Sequence, residues 1–313
     1  MLNQLGLTKV TIDLPFRLNH VNCYLAENEK GLTIIDTGLN NDQSRMTWEK
    51  YVGNKQVEKL FITHYHPDHY GYAGELQQRT GASVWMSEVD TALADKFLND
   101  ESTGLTKVFF ELCGVGEDLL VQLADNSTNF RSRVTPQPRV DYYFEENKKV
   151  VIGELAYDVI FTPGHSSGLV CFYNKEKDVL ISTDHILPKI TPNISCTIYG
   201  LDNPLANYFE SLQKIKQLDA SYVIPSHGEP FYHANQRIDE IIAHHDERLE
   251  RTLEILTSEV TVLEASKQLF RKELTVHEMN FAIGETMAHL EYLYHKNECV
   301  KENVNGRLMY YRK

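Results

Sequence analysis

The stretch Thr63-His64-Tyr65-His66-Pro67-Asp68-His69 constrains this chain more than any other, because it sets three histidines and an aspartate within six positions. Imidazole and carboxylate together suit zinc and the neighbouring first-row divalent ions. Four such groups so close in sequence crowd a single ion. They divide more naturally between two adjacent ions, which points to hydrolytic metal chemistry. A lone His-x-His would be explained equally well as solvated surface. The context argues otherwise, since the cluster follows Val57-Glu58-Lys59-Leu60-Phe61-Ile62, where three consecutive apolar residues predict a buried strand. Gly71 and Gly74 come next, then a helical Glu75-Leu76-Gln77-Gln78-Arg79. The cluster is therefore predicted on a loop at the carboxyl end of a strand, where open sheets place their sites.

Three later segments repeat the pattern. Val159-Ile160-Phe161-Thr162 ends in Pro163-Gly164-His165, Val179-Leu180-Ile181-Ser182-Thr183 ends at Asp184, and Tyr222-Val223-Ile224-Pro225-Ser226 ends in His227-Gly228. Alone, each polar residue is as well read as a capping aspartate or a satisfied core histidine. In sequence after the first cluster, all three point to one common centre.

With these residues in place the chain resembles the metallo-β-lactamase superfamily, in the branch containing glyoxalase II, lactonases and RNA-processing hydrolases. The family pattern H-x-H-x-D-H, then His, Asp and His, matches His64, His66, Asp68, His69, His165, Asp184 and His227. Asn22-Cys23-Tyr24-Leu25 and Ile34-Ile35-Asp36-Thr37-Gly38 resemble the opening hairpin, and the resemblance covers about residues 8–235. It implies an α/β, four-layer αββα fold with a helical insertion and a small C-terminal winged-helix-like domain. It also implies that His64, His66 and His165 hold one ion and that Asp68, His69 and His227 hold the other. Asp184 would bridge them, with a shared hydroxide as nucleophile and Asp68 as the catalytic carboxylate. Two divalent ions are expected, zinc first, with manganese or iron accepting the same ligands. By analogy Asp36 orients a histidine, although a turn-forming aspartate before glycine would look the same in sequence. No G-x-S-x-G elbow is present to supply a serine nucleophile.

Length allows one large domain and a smaller appendage, read as a catalytic domain over 1–235 and a C-terminal domain over 236–313. Residues 87–135 fall between the first and second ligand groups and carry helical spacing, which predicts an insertion near the mouth of the site. It is either a lid or a packing element, with Phe109, Phe110, Phe130 and Arg131 as pocket candidates. Tyr199 is a candidate donor to a substrate oxyanion, and His185 a weaker candidate for metal or substrate contact. Towards the end, Ile238–Leu256 shows amphipathic spacing, and its His244-His245 pair cannot converge because adjacent helical positions point about 100° apart. Helices are predicted over Val262–Phe270 and Val276–Lys296, the second opened by a Thr275/Glu278 capping box, and a final hairpin turns at Asn305-Gly306. The helix that would read DNA in such a module carries Glu285, His289 and Glu291, so DNA is not expected and packing on the catalytic domain is.

Charge and cysteines bound the rest. A net charge of −13 discourages broad nucleic-acid binding. Five scattered cysteines without a C-x-x-C pair, and a start lacking a signal peptide, suggest reduced thiols in the cytoplasm and disfavour an exported antibiotic-degrading enzyme. No membrane span is expected. Three functions remain. The first is a two-metal hydrolase of a small ester, thioester or lactone. The second is a metal-dependent phosphodiesterase on single-stranded RNA, disfavoured by the acidic balance and the lack of a basic-aromatic run. The third is a non-catalytic regulator that keeps the metal fold. A small-molecule substrate is the expected partner, and a homodimer is left open.

Overall fold

Two six-stranded mixed sheets packed face to face grow out of the apolar runs that precede the ligand candidates. The computed structural model describes residues 1–98, 102–271 and 273–313. The first sheet runs in chain order: β1 (Leu7–Asp13), β2 (His20–Asn28), β3 (Gly31–Ile35), β4 (Val57–Phe61), β5 (Ser83–Met86) and β6 (Val140–Tyr143). It is antiparallel up to β3 and parallel from there on. Parallel pairing needs crossovers, supplied by α1 (Asp42–Val52) and by α2 (Pro67–Tyr70) with α3 (Ala73–Thr80). Between β5 and β6 lie α4 (Glu88–Leu98), α5 (Ser102–Leu112) and α6 (Glu117–Arg131).

The second sheet comprises β7 (Lys149–Ile152), β8 (Leu155–Phe161), β9 (Val170–Asn174), β10 (Val179–Thr183), β11 (Tyr222–Pro225) and β12 (Phe231–Tyr232). Only β10 and β11 pair in parallel, across α7 (Pro204–Lys216). The strands are apolar on both faces, and the period of two explains why. Ile35, Phe61, Phe172, Val179 and Ile181 meet between the sheets. Ile34 and Leu60 face outward to Trp48 of α1 and Leu76 of α3. Leu180 faces outward on the other side, to Leu212 of α7. Three apolar layers thus separate four layers of secondary structure, the αββα arrangement. Each fully buried side chain of this size contributes roughly 1.5–3 kcal/mol of transfer free energy.

Beyond the sheets come α8 (Ala234–Ile255), α9 (Val262–Leu269) and α10 (Val276–His295), with a three-stranded antiparallel sheet of β13 (Val260–Thr261), β14 (Cys299–Val304) and β15 (Arg307–Arg312). The Thr275/Glu278 capping box is present, and a second one, Thr261/Glu264, opens α9. Asn305 (φ 52°) and Gly306 (φ 81°) both take the left-handed conformation that the tight hairpin turn requires. Ile241 of α8 and Ile283 and Leu290 of α10 share one apolar cluster with Leu180 and Val223 of the second sheet. His245 is buried with its Nδ1 3.2 Å from His289 Nε2, so it packs α8 against α10. Among the described residues, no helix is long and apolar enough to cross a membrane.

Candidate metal centre

The loop expected for the first cluster is shorter than predicted. Pro67 sits at the first position of α2, where its fixed φ favours a helical turn, so Asp68 and His69 project from helix rather than loop. His64 and His66 leave from the end of β4, and His165 follows β8. Asp184 follows β10, where Thr183 takes φ +50°, an uncommon value for a β-branched residue, beside a register shift in the β10/β11 ladder. His227 follows β11. Gly164, at φ +149°, keeps the His165 loop tight against Tyr208, whose Cβ would stand 2.6 Å from any added Cβ.

All seven sequence candidates converge. His66 Nδ1 lies 3.1 Å from His64 Nε2 and 2.9 Å from His165 Nε2. Asp184 Oδ2 lies 3.3 Å from His165 Nε2, 3.3 Å from His227 Nε2 and 3.4 Å from His69 Nε2. Asp68 Oδ2 lies 3.5 Å from His227 Nε2 and 3.6 Å from His69 Nε2. Three groups of donor atoms can each surround a cation: His64, His66 and His165; His64, His69 and Asp184; and Asp68, His69 and His227.

The outer ring nitrogens fix what the inner ones can be. His69 Nδ1 donates to Asp36 Oδ2 (2.8 Å), His165 Nδ1 to the Asn193 carbonyl (2.8 Å) and His227 Nδ1 to the His20 carbonyl (2.6 Å). Thr63 Oγ1 spends its proton on Asp36 Oδ2 at 2.9 Å, so it accepts from His64 Nδ1 at 3.0 Å. With their outer nitrogens so engaged, His64, His69, His165 and His227 turn their Nε2 atoms inward, towards one another and towards two carboxylates. His69 Nε2, His227 Nε2 and Asp184 Oδ1 are buried with no hydrogen-bond partner. Buried acceptors facing acceptors are unstable without positive charge between them. The donor set fits divalent cations.

Protonation follows the same geometry. Burial, and then the neighbouring histidines, hold His64 and His66 well below the ordinary histidine range. Burial also pulls His69 and His227 down, but Asp184 and Asp68 outweigh it and raise both, helped at His69 by Asp36. Asp184 sits well below the carboxylate range because His227 and His69 overcome its burial. Protons occupy the acidic half of the centre where a cation would otherwise sit.

Two supports escaped the sequence reading. Asp90, fully buried in the first turn of α4, accepts from the Tyr65 amide (3.1 Å), Ser166 Oγ (2.7 Å) and the Gly168 amide (2.6 Å), so one carboxylate ties the first cluster to the His165 loop. Its sequence signal, Ser87 three residues before, reads only as a helix cap. Asn193 is the second. Its carbonyl holds His165 while Glu285 of α10 accepts from its side chain at 3.2 Å, so the C-terminal helix reaches the centre through one intermediary. Asp90→Ala is expected to weaken metal binding about 10–100-fold, measured by competition with a chromophoric chelator. Burial lifts the Asp90 carboxyl from 3.8 to about 6, its three donors opposing this. The unfolded chain then ionises first, and on this account stability falls as pH rises through that window. Asp90→Asn should remove that slope in denaturant titrations.

Of the remaining candidates, Tyr199, Phe109 and Phe110 line a cavity of ≈ 470 Å³ that is also lined by His66, Asp68, His165, Asp184 and His227. Arg131 does not line it. The side chain of Phe130 lies outside the described residues. His185, the weaker candidate, is fully buried and edge-on to Tyr208 with ring centroids 5.3 Å apart, and it does not line the cavity. Asp36 orients His69, and the turn-only reading falls away.

Comparison with known proteins agrees with this geometry. The family model described as "Metallo-beta-lactamase superfamily" matches residues 17–227, and one described as "Metallo-beta-lactamase-like, C-terminal domain" matches 249–313. A Bacillus subtilis (strain 168) protein named "Probable metallo-hydrolase YqjP" is 23% identical, the match covering 97% of this chain and 96% of that one. The crystal structure of a metallo-beta-lactamase family protein from Thermus thermophilus superposes with a TM-score of 0.87 at 28% identity, over 99% of both chains. A beta-lactamase domain protein from Burkholderia ambifaria gives 0.87 at 30% identity, covering 98% of this chain and 92% of that one. With the matched region running from β2 through β11 and including every converging side chain, the chain belongs to the metallo-beta-lactamase superfamily.

Proposed function

We propose that the protein is a hydrolase that uses two divalent ions to cleave an ester, thioester or lactone carbonyl. His64, His66 and His165 hold one ion in this reading, Asp68, His69 and His227 the other, and Asp184 serves both. Zinc is the first choice of ion, with manganese and iron as alternatives. The convergence of seven donor side chains around Asp184 carries the reading, because divalent cations satisfy the inward lone pairs that protons otherwise occupy. When bound, such ions supply water activated at neutral pH and polarise the scissile carbonyl.

The chain's own groups do the rest. Asp36, Thr63 and the carbonyls of His20 and Asn193 lock four imidazoles in one tautomer each. Asp68, whose side chain keeps 20% exposure on the cavity wall, is the carboxylate that can carry a proton to the leaving oxygen or sulfur. Tyr199 lies on the same cavity and can donate to the acyl oxygen.

Substrate class follows from the cavity's charge. Apart from Asp68 and Asp184, its charged side chains among the described residues are Arg17 and Glu278, which pair with each other at 3.3 Å. A phosphodiester strand needs a cationic track, and this lining offers none, which disfavours the RNA alternative. An Aspergillus fumigatus relative, 23% identical with the match covering 85% of this chain and 66% of its own, bears the name "Atrochrysone carboxyl ACP thioesterase", and that supports a thioester. The complete donor set weighs against a non-catalytic regulator. We further read residues 1–235 as the catalytic domain and 236–313 as a winged-helix-like packing module, in a cytoplasmic enzyme of the glyoxalase II and lactonase branch. Its five free, buried cysteines agree with a reducing compartment.

Asp68→Ala is expected to lower thioester hydrolysis by about 10²–10³-fold in protein that remains folded. Single-stranded RNA should stay intact at low salt. Wild-type rates in the variant, or activity surviving complete chelation, would dispose of the mechanism. Metal-dependent RNA cleavage would favour the alternative.

A further inference from the structure

We propose that the cavity beside the metal centre is an acyl-chain chamber, that the substrate is a thioester or ester of an unbranched medium-length fatty acyl group, and that α10 of the C-terminal domain forms one wall of it. The proposal rests on the hydrolase reading above and narrows its substrate.

The lining carries the argument. Leu14 comes from the β1–β2 connection, Leu93, Phe97 and Phe110 from the inserted helices, Ile198 from the segment after Asp184, and Phe281 from α10. These surfaces enclose ≈ 470 Å³ that runs up to the histidines and carboxylates of the centre. The volume falls within the range of small-molecule pockets. A two- or three-carbon acyl group would leave most of it as water against apolar walls. An ionic substrate tail would find only Arg17 and Glu278, already paired. An alkyl chain, with its carbonyl at the ions, packs against the apolar walls instead. Phe281 and Ile190 both line the cavity, and both stay exposed, at 42% and 47%, so apolar surface continues to the opening.

One helix face builds the C-terminal wall. His277, Phe281 and Gly284 recur at helical spacing and all line the cavity. Gly284 lets that face come close, since an added Cβ would stand 2.9 Å from Ser195 Cβ and 3.2 Å from the Cys196 carbonyl. The Cys196 amide donates to the Gly284 carbonyl at 3.0 Å and fixes the approach. The polar carrier of a thioester is placed at the opening, where it faces the solvent. In the reaction, water oxygen bonds the acyl carbon, the C–S or C–O bond breaks, and the proton passes to the leaving sulfur or oxygen, giving a fatty acid and a thiol or alcohol.

Two measurements separate this from the hydrolase reading. Metal-free protein is titrated calorimetrically with 1-alkanols from butanol to decanol, which need no metal. Binding should tighten roughly fourfold per methylene. Zinc-loaded protein is assayed on S-acyl N-acetylcysteamine thioesters from acetyl to decanoyl, and kcat/KM should climb in parallel. Phe281→Asp, at an exposed position that should leave folding intact, is expected to cut the gain per methylene by about half in both series. Alkanol binding that does not depend on length, or that tightens equally in Phe281→Asp, overturns the chamber even if acetyl thioesters are hydrolysed. Length-dependent binding without any hydrolysis by the loaded protein overturns the hydrolase reading instead.

Discussion

Asp184→Asn is expected to give a folded protein that retains fewer than two ions per chain and hydrolyses thioesters at least about 10³-fold more slowly, at the upper end of losses from a single electrostatic group. The amide keeps the shape of the side chain and removes its charge, so packing after β10 is preserved. The charge is what three imidazoles share, with Asp184 Oδ2 at 3.3–3.4 Å from the Nε2 atoms of His165, His227 and His69. Its second oxygen is buried without a partner, free for a second ion. Proton balance gives an independent readout. Asp184 and Asp68 raise His69 and His227, so the metal-free protein holds protons there that incoming cations must displace. Metal affinity therefore falls as pH falls. Without metal, the raised imidazoles stabilise the fold fully below their unfolded value of 6.5, and that contribution is lost as pH rises through the raised values. Asp184→Asn should release fewer protons per ion in unbuffered titrations near neutral pH. Two tightly held ions and an unchanged rate, by metal analysis and thioester assay, would remove Asp184 from the metal centre.

Much of this site is legible in the chain because strand ends carry it. A buried strand announces itself by a run such as Leu60-Phe61-Ile62, and the polar residue that follows must leave the sheet at its edge. Four such exits in two sheets packed face to face can share one end, which is why His64, His165, Asp184 and His227 were visible as a set. Asp90 was not, since nothing in Ser87-Glu88-Val89-Asp90 tells that a carboxylate in the first turn of a helix points inward to two loops 25 and 76 residues away. Asn193 acts through its carbonyl, and a backbone group has no sequence signature. The wall built by Phe281 and Gly284 depends on how α10 docks on the segment 195–196, a tertiary fact that helical periodicity does not encode. The short turn at Pro67 follows a local rule, as proline at the first position favours helix.

Asp36→Ala should lower stability by about 3–5 kcal/mol, the usual range when one member of a buried charged pair is removed. Metal affinity should weaken by about 10–100-fold with it. The carboxylate is 1% exposed and accepts three bonds, from the Thr63 amide (2.9 Å), Thr63 Oγ1 (2.9 Å) and His69 Nδ1 (2.8 Å). Alanine leaves those donors buried and unpaired, at about 1–3 kcal/mol each for those that water cannot reach. Backbone strain adds to this, because Asp36 sits at φ +58°, where alanine is disfavoured and asparagine is tolerated. Asp36→Asn separates the two effects. It keeps the backbone conformation and one acceptor oxygen, but turns an amide NH₂ towards a donor. If bonding to His69 is what matters, Asn should recover part of the stability lost in Ala while metal affinity stays low, since His69 loses the anion that fixes its tautomer. Urea denaturation of the metal-free variants and chelator competition on the loaded ones give the two numbers. Full metal affinity in Asp36→Asn would mean that His69 is oriented by packing alone, and Asp36 would then return to a turn residue.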